Sequence, residues 1–272
     1  MKRRHLFEFE DLPWFSQTLR DYITDFLCTV AEKFNMFGPV VSIMNELLSR
    51  NEKLIVVDLA SGGGGQWRRL IPQMLLQNDE FKLVLTDKYP NVLALNRVKQ
   101  EFPNIVSVMA EPVDASRVPK TISGMRTLFL SLHHFEPEFV VKIFKDAVES
   151  NEPIAAFEAQ QRNVEHVIRF CFSPIMCWVL TPLIRPFSLW RLIFTYIVPI
   201  IPVVILWDGV VSVLRTYTLE EAADMARIAD AESKFIWHTE LVNHGKQKIQ
   251  VITGYPKEAD NFAGVDLFDK LK

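Results

Sequence analysis

A run of glycines, Gly62 to Gly65, follows a short apolar stretch that ends at Asp58. Glycine permits positive φ and lets the backbone come close to a ligand. Such a run between a strand and a helix is typical of a loop that holds a nucleotide. A plain tight turn is the alternative, but it needs fewer glycines. The stretch VVDLASGGGGQW therefore predicts a binding loop for a nucleotide-like cofactor.

Two histidines and a carboxylate follow later apolar runs. His133 and His134 come directly after one run, and Glu158 ends the next. An unperturbed imidazole titrates near neutrality, so either histidine can remove a proton from a substrate hydroxyl or amine. The alternative is that one of them hydrogen-bonds the backbone at the strand end. Glu158 either faces a cationic or hydroxylated substrate, or caps a helix or lies at the surface.

The sequence predicts no metal site and no disulfide framework. The histidine pair has no evident third ligand, and no CxxC motif is present. The chain has three cysteines without a pairing pattern. The net charge of -3 argues against nucleic acid as a partner. No apolar signal region follows the charged start, so the expected location is cytoplasmic, with membrane association as the alternative.

The predicted elements place these residues on an α/β fold. Apolar strands and amphipathic helices alternate between residues 51 and 163, which is typical of a Rossmann-like, mostly parallel sheet with helices on both faces. Predicted strands cover 54–58, 81–86, 105–109, 126–131 and 153–157, and predicted helices cover 66–77, 92–101, 137–149 and 219–230. The turn signal Asn243-His244-Gly245 predicts a C-terminal antiparallel hairpin.

Residues outside this pattern define the remaining units. Helices at 16–35 and 39–50 predict an N-terminal helical cap over residues 1–50. The core is then 51–163 and 208–256, interrupted by an apolar helical insertion at 164–207, and 257–272 form a tail.

Trp14, Phe15 and Arg20 either close over the cofactor or pack in the core. The prediction for Asp208 is a turn before Gly209, and for Arg215 and Tyr217 a salt bridge or a place in the cleft.

The insertion is too short and too interrupted for a clean membrane span. Pro199 and Pro202 break its second half, so we predict two short helices joined by RPFSLWR. One interpretation is contact with a membrane surface through 168–207, where tryptophans suit the interface and arginines meet anionic headgroups. The residues concerned are Trp178, Trp190, Trp207, Arg185 and Arg191. The others are a lid over an apolar pocket, a homodimer interface or, as the weakest, ordinary core.

The glycine stretch resembles the first motif, D-x-G-x-G-x-G, of the class I (Rossmann-like) S-adenosylmethionine-dependent methyltransferases. Here it reads Asp58-Leu59-Ala60-Ser61-Gly62-Gly63-Gly64, with alanine in place of the first glycine. LVLTDKYPN, VMAEPVDASRVP and LFLSLHHFEPE resemble the segments around that family's next three strands. LPWFSQTLRDYITDFL and WDGVVSVLRTYTLEE resemble a bacterial subgroup of it.

The resemblance implies S-adenosyl-L-methionine as cofactor and methyl transfer to a small or lipid-like acceptor. It implies that Asp87 binds the ribose hydroxyls, since a carboxylate accepts several hydrogen bonds, and that Asp114 contacts the adenine amino group. The expected cofactor site is Asp58, Ala60, Gly62, Gly63, Gly64, Asp87, Lys88, Asp114 and Ala115. His133, His134 and Glu158 are expected on the acceptor side.

Two other functions remain open at this point. Ala60 to Gly65 nearly fits the GxGxxG pattern of nicotinamide-dependent oxidoreductases, although Asp58 and the terminal hairpin argue against that class. The second alternative is a non-catalytic member of the fold that binds the cofactor or a membrane without turnover.

Overall fold

A computed structural model describes residues 1–51, 53–244 and 247–258. Most of the predicted tail, 259–272, and the central part of the hairpin turn, 245–246, lie outside the described residues.

Seven strands form one sheet in the described part of the chain, in the order β3-β2-β1-β4-β5-β7-β6. They are β1 (Ile55–Leu59), β2 (Lys82–Leu85), β3 (Val106–Val108), β4 (Met125–Phe129), β5 (Ile154–Glu158), β6 (Phe235–His244) and β7 (Gln247–Pro256). β1 to β5 run parallel, and β7 is antiparallel to both β5 and β6. The predicted parallel sheet and its C-terminal hairpin are confirmed. The order reverses between β1 and β4, and ligands of open α/β sheets bind at the carboxyl ends of strands at such a point.

Helices cover both faces of the sheet, as predicted. They are α1 (Gln17–Lys33), α2 (Val41–Ser49), α3 (Trp67–Leu75), α4 (Val92–Glu101), α5 (Pro137–Ser150), α6 (Val164–Cys171), α7 (Ser173–Leu180), α8 (Leu189–Leu192), α9 (Ile200–Arg215) and α10 (Leu219–Ala229). Apolar side chains of α2, α3 and α4 are buried on one face, and those of α5 and α10 on the other. Each fully buried Leu, Ile or Phe side chain contributes about 1.5–3 kcal/mol, so the two layers fix the strand ends that carry the site.

The insertion shares a third core with the N-terminal cap. Ile23 and Phe26 of α1 pack with Cys177 of α7 and with Ile201 and Ile205 of α9. The expectation that ordinary core is the weakest interpretation is therefore wrong for the inner side of the insertion. Its outer side is different, because many of its large apolar side chains are exposed.

The C-terminal half of the insertion differs from the prediction. α9 continues to Arg215, so the suggested boundary at 207–208 falls inside a helix, and Asp208 does not make a turn. Asp208 is buried and accepts hydrogen bonds from the backbone N–H groups of Phe9 (2.8 Å) and Glu10 (3.3 Å). A buried carboxylate can persist in a helix when backbone donors satisfy it in this way.

The expectation that both linker arginines meet headgroups is also partly wrong. Arg191 is buried and pairs with Asp25 at 2.8 Å, whereas Arg185 is exposed. By length and composition, the helical run Val164–Leu183 is able to cross a membrane, with 22% of its most apolar window buried. The pair Leu189–Ile197 and Ile200–Arg215 passes the same test only as a span bent by 74°.

Candidate active site

The glycine loop turns sharply between β1 and α3. Ala60, Gly62 and Gly64 all have positive φ, at 55°, 56° and 66°. A Cβ on Gly62 would meet nothing within 4 Å, so this residue faces open space. Its backbone N–H donates to Oδ2 of Asp87 at 2.8 Å, which ties the loop to the end of β2.

Two of the glycines allow the cap to pack closely on the loop. A Cβ on Gly63 would lie 2.5 Å from Sγ of Cys28, and one on Gly65 would lie 2.3 Å from Cβ of Cys28. These glycines therefore let α1 of the cap lie directly on the loop. A close backbone approach was predicted here, but the partner of these two residues is a helix.

Asp58 lies beneath the loop and lines neither cavity described below. It is 1% exposed, and its two oxygens accept hydrogen bonds from Nε1 of Trp67 (2.7 Å) and the hydroxyl of Thr127 (2.8 Å). Burial raises the pKa of Asp58 to about 7, although these hydrogen bonds oppose the rise. Asp58 was predicted as a cofactor residue, but it holds the loop in position from within the core.

A cavity of about 270 Å³, here called the loop cavity, opens at the carboxyl ends of β1, β2 and β4. Of the predicted cofactor residues, Ala60, Gly62, Gly63 and Asp87 line it, whereas Gly64 does not. The side walls come from α1 and the N-terminal segment. Of the three cap residues for which the sequence left closure over the cofactor open, Arg20 lines this cavity, whereas Trp14 and Phe15 do not.

A second cavity of about 250 Å³, here called the side cavity, contains three further predicted cofactor residues. Lys88, Asp114 and Ala115 line it, and Ala60 and His134 line both cavities. Nζ of Lys88 lies 3.7 Å from Oδ2 of Asp114. Hydrogen bonds from Ser116 hold the pKa of Asp114 below its usual value, and the positive charge of Lys88 lowers it further. This carboxyl is therefore ionised at neutral pH. The two cavities together form a cleft along the carboxyl edge.

The two histidines, adjacent in sequence, have different surroundings. His133 is buried, and its Nδ1 lies 3.0 Å from Oε2 of Glu158 and 3.3 Å from Nε2 of Gln160. Neither His133 nor Glu158 lines the loop cavity or the side cavity. The pair therefore lies behind the end of β4 and supports it. The sequence analysis expected His133 and Glu158 to face an acceptor, whereas the structure places both away from the two cavities.

His134 faces both cavities. The sequence suggested an imidazole with a pKa near neutrality, but the pKa of His134 lies well above it. Its Nδ1 lies 3.1 Å from Oδ1 of Asp11 and 3.4 Å from Oε2 of Glu8. Burial disfavours its charge, but the two carboxylates outweigh burial and raise the pKa of His134 to about 10. At neutral pH His134 is a cation, so it donates hydrogen bonds and does not accept a proton.

Glu8 joins the two histidines in a group of three side chains whose ligand atoms lie close together. One ligand atom from each of Glu8, His133 and His134 lies within 4.8 Å of the others. However, Nη1 of Arg215 lies 3.3 Å from Oε1 of Glu8, and both side chains are 2% exposed. The guanidinium already balances this carboxylate, so the cluster is an ion-pair network. Arg215 makes the predicted salt bridge, and Tyr217 donates to the backbone carbonyl of Phe135 at 2.8 Å.

Several polar side chains of the loop cavity were not predicted from the sequence, and two of them, Ser131 and Glu10, bear on the chemistry of the site. Ser131, at the end of β4, has a buried hydroxyl without a hydrogen-bond partner among the described residues. A buried unsatisfied hydroxyl is costly, so a polar ligand group fits there. Glu10 lines the same cavity, and burial together with Asp208 raises the pKa of Glu10 to about 8. No sequence signal identifies Glu10, because the N-terminal segment reaches the site through contacts with residues remote in sequence, among them Asp208 and Arg215 of α9.

The strand order, the reversed β7 and the loop after β1 define the fold of Rossmann-like S-adenosylmethionine-dependent methyltransferases. No protein-family model matches the sequence, and no curated protein matches it. Three solved structures that resemble its fold are methyltransferases.

An O-methyltransferase family protein from Burkholderia thailandensis is 13% identical at a TM-score of 0.50, over 87% of this chain and 59% of that one. Human N-acetylserotonin methyltransferase, solved with S-adenosylmethionine, is 12% identical at 0.50, over 89% of this chain and 56% of that one. The methyltransferase domain of bacterial CtHen1 is 12% identical at 0.50, over 81% of this chain and 98% of that one. This chain thus spans little more than half of the first two proteins. At such identities the likeness shows the fold.

Proposed function

We propose that this protein transfers a methyl group from S-adenosylmethionine to a small or lipid-like acceptor. The observation that carries the proposal is the cleft formed by the loop and side cavities, which share Ala60 and His134. The cleft contains two carboxylates at the ends of neighbouring segments, Asp87 and Asp114. It lies at the point where the strand order reverses, which is where such folds bind ligands.

The donors and acceptors of the cleft fit this cofactor. Asp87 has lone pairs for the ribose hydroxyls, and Asp114 has one for the adenine amino group. The unpartnered hydroxyl of Ser131 is placed for the methionine end or the acceptor. When bound, S-adenosylmethionine would supply a methyl group bonded to a positively charged sulfur. An acceptor oxygen or nitrogen can attack this methyl carbon directly, with S-adenosylhomocysteine as the leaving group.

The chain's own residues then have to orient the acceptor, exclude water and take up a proton. Glu10 is our candidate for the proton acceptor, because it lines the loop cavity and its pKa of about 8 lies close to working pH. His134 is our candidate for a fixed cation that orients a polar headgroup. His133 and Glu158, buried behind β4, are assigned a positioning role.

We also propose that the outer side of the insertion contacts a membrane. Large apolar side chains are exposed along α6 to α9, and the N-terminal segment adds Phe7 and Trp14. Examples are Phe172, Val179, Phe187, Leu189, Trp190 and Ile197, each more than half exposed. An exposed apolar area of this extent is typical of an interaction surface. Arg185, exposed in the linker, adds a charge for anionic headgroups.

Calorimetric titration with S-adenosylmethionine and, separately, with NADH tests the first proposal. We expect micromolar affinity for the first ligand and no binding of the second. The reverse result would support the oxidoreductase alternative, and binding without methyl transfer to any lipid extract would support the non-catalytic one. Flotation with anionic and neutral phospholipid vesicles tests the second proposal, and sedimentation without vesicles shows whether the same surface forms a homodimer instead.

A further inference from the structure

An apolar groove of about 630 Å³ lies beside the loop cavity. The N-terminal segment, α1 and the start of α9 form it, through Phe9, Phe15, Leu19, Val198, Ile200 and Val204 among others. Apart from Ser16, the described residues that line it are apolar. Trp14 and Val203 line it too and are 72% and 57% exposed, so the groove opens on the apolar surface of the insertion.

A thin partition separates this groove from the loop cavity. It is the 3-10 turn Phe9–Asp11, in which Phe9 lines the groove while Glu10 and Asp11 line the cavity. The first turns of α1 continue it, with Leu19 on the groove side and Arg20 on the cavity side. Neighbouring residues of one turn therefore face the two spaces.

The partition is fastened in place. Arg20 donates to the backbone carbonyls of Glu10 at 3.0 Å and Leu12 at 2.9 Å. Asp208 holds the other side of the same turn through the N–H groups of Phe9 and Glu10. An apolar and a polar compartment are therefore kept side by side.

We infer that the groove holds the hydrocarbon chain of the methyl acceptor, a single-chain amphiphile whose polar head passes the Phe9–Asp11 turn into the loop cavity. This inference rests on the proposed methyl transfer. The apolar lining suits a hydrocarbon, and the volume lies within the ~300–1,000 Å³ of common ligand sites. The adjoining exposed residues Ile197, Val198 and Val203 give such a molecule an apolar route from a bilayer to the site. A purely polar acceptor would leave the groove without an occupant.

A matched pair of variants separates the groove from the surface around it. Val203→Gln places an amide in the groove, while Val179→Gln makes the same change at a residue of α7 that is 63% exposed and does not line the groove. The probe is cis-parinaric acid, a fluorescent single-chain amphiphile, titrated without vesicles and excited in its own absorption band. We expect micromolar binding by the unmodified protein, about tenfold weaker binding by V203Q, and unchanged binding by V179Q.

Calorimetry with S-adenosylhomocysteine, run on all three proteins, measures the affinity of the cofactor site independently of probe binding. Unchanged affinity shows that the variant is folded. Equal loss of probe binding in both variants would mean surface adsorption and overturn the inference. Absence of probe binding with intact cofactor binding would also overturn it, leaving the proposed methyl transfer standing. Probe binding without cofactor binding would remove the methyl transfer and with it the acceptor role of the groove. A dimer in sedimentation that V203Q alone dissociates would assign the groove to a second copy of the chain.

Discussion

Nδ1 of His134 lies 3.1 Å from Oδ1 of Asp11, which joins the end of β4 to the N-terminal segment above the cleft. Burial works against the charge of Asp11, but His134 and Arg215 hold the pKa of this carboxyl well below its usual range. Both members of the pair are therefore charged at neutral pH. The roof of the site is fixed by ionic contacts as well as by apolar packing.

The charge of His134 can be measured directly. We expect its imidazole resonances to titrate with a pKa of about 10, because Glu8 and Asp11 favour the cation over the neutral ring. Asp11→Asn removes one of these carboxylates and is expected to lower that pKa. The measurement is an NMR titration of the histidine side chains. A pKa of His134 near its ordinary 6.5 would contradict the ion-pair network.

Glu10 is expected to control the pH dependence of methyl transfer. Burial first, and then the charge of Asp208, favour its protonated form, so the base is available only as pH rises past about 8. The rate should therefore increase from pH 6 to 9, and Glu10→Gln should lower it by about 10²-fold and remove that rise.

The control is Glu138→Gln, an exposed carboxyl in the first turn of α5, which should leave the profile unchanged. Cofactor affinity should be the same in both variants. If E10Q keeps the pH dependence, the proton goes to another group or to water.

Asp87 is expected to contribute to cofactor affinity. Asp87→Asn removes the negative charge and one of the acceptor oxygens now used by the N–H groups of Gly62 and Tyr89. Hydrogen bonds to a charged group are worth about 1.5–3 kcal/mol, so S-adenosylmethionine should bind about 10- to 100-fold more weakly. Calorimetry measures this, with the exposed Asp79→Asn as control. Unchanged affinity in a folded D87N variant would count against the site.

The backbone conformation of Ala60 lowers the stability of the fold, and one substitution can remove this loss. Its φ of 55° lies in the left-handed region, which costs an alanine about 1–2 kcal/mol. Ala60→Gly should therefore raise the free energy of unfolding by about 1 kcal/mol, since glycine adopts this conformation freely.

Urea denaturation measures the change. Ala223→Gly in α10 should do the opposite, because glycine in a helix interior loses about 0.5–1 kcal/mol relative to alanine. A loss of stability in A60G would show that the methyl group of Ala60 is needed at the junction of the two cavities.

The sequence by itself determined the order of the elements and the edge of the sheet at which the cleft lies. Buried β-branched runs alternate with amphipathic stretches, and this pattern depends on neighbours in the chain, so β1 to β5 and the final hairpin were predictable. The resemblance to the methyltransferase motifs implied Asp87 and Asp114. The fold brings Asp87 together with Gly62 at one edge, because parallel strands bring their carboxyl ends to the same side of the sheet.

Only the tertiary structure decided what encloses that edge. Glu8, Glu10 and Asp11 reach the cleft because Asp208 and Arg215 of α9, some 200 positions away, bind the N-terminal segment. The same contacts turn His134 from a neutral base into a cation and divide a polar cavity from an apolar groove. Charge states and cavities depend on distances between remote residues, and periodicity along a chain carries no information about such distances.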